Sequence, residues 1–120
     1  MGISRKHRHC LVFNGSEFVW WVLSNPDGVG NVLTVASPDQ RFLVRYEFFG
    51  GHTSGDECLI VEGTEFPQMV RDSPGYVRLI CPRWQDDKGA ITPGAVRALL
   101  TWCFASDRET RRVDWRGLPL

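Results

Sequence analysis

Residues 10–23 read CLVFNGSEFVWWVL, two apolar runs separated by Asn14-Gly15. A type I′ turn holds both central residues at positive φ, which Asn and Gly tolerate, and its twist matches that of two antiparallel strands. The stretch therefore reads as a hairpin in which EFVWWVL (17–23) returns against CLVF (10–13). The returning run is apolar on both faces, with Phe18, Trp20 and Val22 on one and Val19, Trp21 and Leu23 on the other. That pattern predicts a central strand covered on both sides.

Outward from the hairpin the same alternation of apolar run and turn continues. NPDG (25–28) and SPDQ (37–40) place Pro and Asp where tight turns use them, and NVLTVA (31–36) between them reads as a strand. In RFLVRYE (41–47) Phe42, Val44 and Tyr46 face one way and Arg41, Arg45 and Glu47 the other, with Leu43 the exception, so one side of that strand is wet. ECLIVE (57–62) follows a glycine-rich stretch, and GYVRLIC (75–81) follows Ser73-Pro74, with Val77, Leu79 and Cys81 on its inward face.

The period then changes. In TPGAVRALLTWCFAS (92–106) Thr92 stands at an N-cap and Pro93 at the first helical position. Val96, Leu99, Leu100 and Cys103 recur at helical spacing, Ala95, Ala98 and Trp102 widen the stripe, and Arg97 and Thr101 mark the wet side. Val113 and Trp115 in the tail suggest a short edge strand. The expected fold is α+β: an antiparallel meander of about five to seven strands with a C-terminal amphipathic helix packed on one face. A single domain over 1–120 is expected, with 1–7 a mobile basic arm.

Composition agrees with a packed domain. Of 120 residues 42% are apolar, with five Trp and seven Phe to fill a core. The formal net charge is zero, so no global field draws the chain to nucleic acid or an anionic membrane. Locally, the ends are basic, whereas residues 47–70 hold five acids and no Lys or Arg; intramolecular pairing of solvated surfaces is the plain reading. Cysteines 10, 58, 81 and 103 form no CxxC, which excludes zinc-ribbon spacing. With no apolar leader or membrane span in the sequence, and Lys6 where a myristoylation signal wants Ser or Thr, reduced thiols and a cytoplasmic setting are expected.

Candidate chemistry concentrates in GGHTSGDEC (50–58). GHTSG has the outline of a nucleophile elbow, but that motif needs a strand-to-helix turn in a large parallel sheet, and here strands flank it. What remains is His52 as base or ligand with Asp56 and Glu57, against the plain reading of a long hairpin loop. A metal site would draw on His7, His9 and His52, which are all the histidines in the chain. Phe48, Phe49, His52 and Trp84 are candidates for ligand contact, Trp84 equally as an aromatic folded back over the helix and sheet. Arg5, Lys6, Arg8, Arg111 and Arg112 would carry a nucleic-acid interface, which the acidic middle disfavours.

The ending ITPGAVRALLTWCFASD followed by VDWRG resembles the C-terminal pattern of small bacterial proteins, a resemblance that implies no activity. The reading is of a small, soluble, non-enzymatic binding or interaction protein without a cofactor. Its partner is a protein or a small molecule, the latter in a pocket between helix and sheet or under the 48–56 loop. A homodimer through an unpaired edge strand is the further expectation.

Overall fold

The computed structural model describes residues 8–24, 30–48, 57–67, 76–86, 90–106 and 112–114. Seven strands form one antiparallel sheet in chain order: β1 His9–Phe13, β2 Ser16–Ser24, β3 Asn31–Ala36, β4 Leu43–Phe48, β5 Glu57–Val61, β6 Val77–Cys81 and β7 Arg112–Val113. A twelve-residue helix, α1 Pro93–Phe104, packs against it. This is the α+β meander that the alternating pattern predicts.

The deciding turn has the expected geometry. Asn14 and Gly15 both hold positive φ, 51° and 78°, and Phe13 is paired with Ser16 across them. In the β3–β4 connection the Gln40 amide donates to the Ser37 carbonyl at 2.9 Å, and Gln40 itself sits at φ 61°. The helix begins as its sequence dictates, with Thr92 Oγ1 accepting from the Ala95 amide at 3.1 Å and Pro93 in the first turn.

One face of the sheet holds the core. Leu11, Phe18, Trp20, Leu33, Val35, Val44, Tyr46, Leu59, Val61 and Leu79 alternate inward along six strands and meet Val96, Leu99, Leu100 and Cys103 of α1. Val96, Leu99 and Leu100 are fully buried, each worth on the order of 2 kcal/mol in transfer from water. Trp102 is half-buried on the same side, whereas Ala98 is exposed and adds nothing to the apolar stripe.

The opposite face bears out the reading of β2 in part, with Trp21 buried, Val19 half-buried and Leu23 exposed. β2 has a strand on each side, but no second layer among the described residues covers Val19, Trp21 and Leu23. Leu23 is 44% exposed, and Trp21 is buried with the Arg8 guanidinium 4.9 Å from its ring centre. A single helix has only one sheet face to lie on, so an arginine stem does part of the covering on the other. Further along that face Glu47 pairs with Arg78 at 2.8 Å and Glu62 with Arg45 at 3.0 Å. Among the described residues those acids are met by Arg45 of β4 and Arg78 of β6.

Candidate functional site

β2 runs past the end of β3. Its pairing with β3 begins at Val19 and Ala36, while Ser16, Glu17 and Phe18 pair with β1 alone. Beyond Ala36 the chain turns through Ser37, Pro38 and Asp39 toward β4, leaving a wedge between this turn and the start of β2. The wedge is an open cleft of about 780 Å³, within the range of small-molecule sites.

Its apolar lining is Pro38, Pro67 and phenylalanine from four separate segments. Phe18 comes from β2, Phe42 from the residues leading into β4, Phe66 from the segment after β5, and Phe104 from the last turn of α1. Phe42 stacks on Phe104 at 5.4 Å and on Phe66 at 6.1 Å, and meets Phe18 edge-on at 5.5 Å. Phe18, Phe42 and Phe66 are buried and form the floor, whereas Phe104 is 40% exposed, so the aromatic surface open to the cleft is chiefly that of Phe104.

Backbone contacts fix the walls. The Glu62 and Gly63 amides both donate to the Leu43 carbonyl at 3.0 Å, and the Glu65 amide donates to the Arg41 carbonyl at 2.8 Å. This strap lies so close that a Cβ on Gly63 would fall inside van der Waals contact of Arg41 O and Leu43 N. On the other wall Ser37 Oγ donates to Asp39 Oδ1 at 2.7 Å and accepts from the Phe42 amide at 3.1 Å.

The rim is acidic. Glu17, Asp39 and Glu65 line the cleft together with Ser16, Ser37 and Thr64. The Ser37 hydroxyl, then the Arg41 amide, hold the Asp39 carboxyl below its ordinary range, so it is ionised at neutral pH. Arg41 approaches Asp39 at 3.9 Å and Glu65 at 3.5 Å, both well exposed. Glu17 makes no ion pair among the described residues. The helix contributes the negative end of its dipole at Phe104, with no basic side chain in its last turn.

Of the residues singled out from sequence, none that is described lines the cleft. His52, Asp56 and Phe49 lie outside the described residues, as do His7, Arg5, Lys6 and Arg111. Glu57 is buried on the inner face of β5 opposite Cys81, away from the cleft lining. Phe48 is 2% exposed and stacks on Tyr46 at 5.5 Å; it is a core residue with no surface to offer a ligand. Trp84 folds back as an anchor, edge-on to Tyr46 at 5.0 Å and to Trp102 at 5.7 Å. His9 stacks on Trp20 at 4.3 Å, and no group of three metal-binding side chains occurs among the described residues.

For the basic ends the strand order is decisive. Arg8 precedes β1 and Arg112 stands in β7, the two opposite edges of the sheet. Six strand spacings put those edges roughly 30 Å apart along the sheet. Arg8 and Arg112 thus stand at opposite edges of the sheet, and Arg5, Lys6 and Arg111 lie outside the described residues.

Set against known proteins, the chain matches no family model, no curated protein and no solved structure at a significant level. No helix among the described residues is long and apolar enough to cross a membrane.

Proposed function

We propose that this chain is a non-enzymatic binding protein that takes a small molecule with an apolar body into the phenylalanine-lined cleft. The observation that carries this reading is the cleft itself: about 780 Å³ of open space against the exposed ring of Phe104 and the buried phenylalanines beneath it, held by backbone hydrogen bonds from two loops. Partly exposed aromatic surface in a concave site is what a preformed apolar binding site requires. Among the described residues the lining has no His, Cys or Lys beside its carboxylates, and Asp39 is held ionised, which favours binding over acid and base catalysis.

A neutral probe tests the reading. 4-Phenylbutan-1-ol, titrated into isotopically labelled protein and followed by amide NMR shifts, is expected to saturate in the millimolar range, as suits about eleven heavy atoms. The shifts should cluster on residues 16–18, 37–42, 64–67 and 104. Phe104→Ser, which removes a partly exposed wall, should weaken binding several-fold. Shifts that stay linear in probe, or that scatter over the sheet, would exclude the cleft as the site.

A further inference from the structure

Resting on that reading of the cleft, we infer that its ligand carries a positive charge: an organic ammonium ion whose apolar body lies on the phenylalanines and whose cationic head meets the acidic rim. Three carboxylates line the opening, and among the described residues no basic side chain does. The guanidinium nearest to them, Arg41, stands between Asp39 and Glu65 at 3.9 and 3.5 Å. The rim thus already gathers one cation of the chain itself, and Glu17 remains without one among the described residues.

The aromatic lining selects the kind of cation. Hard metal ions need six or more converging oxygens, whereas this cleft offers the exposed ring of Phe104 over the buried Phe18, Phe42 and Phe66, with carboxylates spread along its edge. Ring faces attract an ammonium through their quadrupole, and alkyl or aryl carbon on the same ligand fills the remaining apolar space. The helix end adds partial negative charge at Phe104, with no basic side chain in its last turn. An anionic ligand would meet a rim that stays net negative, three carboxylates against the one Arg41 guanidinium, so ring affinity and rim charge agree for a cation.

The test compares three probes of equal length: 4-phenylbutylammonium, 4-phenylbutan-1-ol and 4-phenylbutanoate. The ammonium is expected to bind about tenfold more tightly than the alcohol at low salt, and the carboxylate more weakly than either. That advantage should shrink in half-molar sodium chloride. Glu17→Gln with Glu65→Gln should narrow the gap between ammonium and alcohol to less than about threefold, by the size of exposed pair energies. Asp39 is left intact in that variant because it organises its turn. Alcohol and ammonium binding equally would overturn the cationic preference while leaving the cleft reading in place. Failure of all three to saturate would overturn both.

Discussion

Tyr46 is fully buried in the middle of the sheet, and its hydroxyl joins two chain segments far apart in sequence. It accepts a hydrogen bond from the Trp84 amide at 3.2 Å and donates to Gln85 Oε1. This network holds the 82–86 segment over the core and explains why Trp84 packs inward. Tyr46→Phe leaves the Trp84 N–H and the Gln85 carbonyl without their partner, at a cost of about 1–3 kcal/mol for each group left dry. A loss of roughly 3 kcal/mol in urea denaturation is the expected outcome. Adding Gln85→Leu should recover part of it, because the orphaned amide is then gone. A Tyr46→Phe variant as stable as the parent would mean that water reaches these groups.

At the scale of elements, the free side of β1 is guarded. Phe13 and Ser16 close the hairpin as a hydrogen-bonded pair, so the ladder's alternation turns the amide and carbonyl of Val12 away from β2. Arg97 of α1 reaches around the edge and donates to that Val12 carbonyl at 3.1 Å. An edge carbonyl already satisfied by a charged side chain is a poor template for another strand. Arg97→Ala is expected to increase self-association relative to the parent chain in sedimentation velocity at about 100 µM, a concentration suited to weak edge pairing; unchanged sedimentation would show that the cap does not protect the edge. A second element-level prediction concerns the strap after β5. Gly63→Ala forces backbone apart where the strap crosses Arg41 and Leu43, which should cost at least about 2 kcal/mol. The displacement carries Phe66 with it, so phenylbutanol binding should weaken in the same variant; intact binding with normal stability would locate the cleft elsewhere.

For the whole molecule, local signals gave the architecture and hid the cleft. Asn14-Gly15, Thr92-Pro93 and the change from period two to helical spacing each announce their geometry within a few residues, and the sheet order is the chain order. The cleft has no such signature. Phe18, Phe42, Phe66 and Phe104 each look like core residues in their own segment, and they become a site only because β3 parts from β2 beyond Ala36. Likewise Arg97 reads as a solvent-facing helix residue, since its edge contact joins positions 85 apart. The glycine loop drew attention for its density of titratable groups, yet the same density is what a polar turn between strands shows. What burial does to titration, by contrast, is a property of the assembled fold and yields a prediction with a definite sign. Desolvation raises the Tyr46 phenol well above its ordinary value of 10.0, and raises the Cys58 thiol above 9.0, with the Arg78 guanidinium partly opposing the shift at Cys58. Both groups are neutral when protonated, so the unfolded chain releases these protons first as pH rises. The unfolded state then binds fewer protons than the folded one, and stability falls with pH. Neither group contributes a slope below its unfolded value; the loss begins near pH 9 through Cys58 and steepens above pH 10. Tyr46 alone supplies up to about 1.4 kcal/mol per pH unit there, because one proton separates the two states. Urea midpoints measured from pH 8 to 11 should trace that decline, and Tyr46→Phe, though less stable throughout, should decline less steeply above pH 10. Equal slopes for parent and variant would mean that the phenol titrates freely, and that the packing of Trp84 and Gln85 over it does not exclude water.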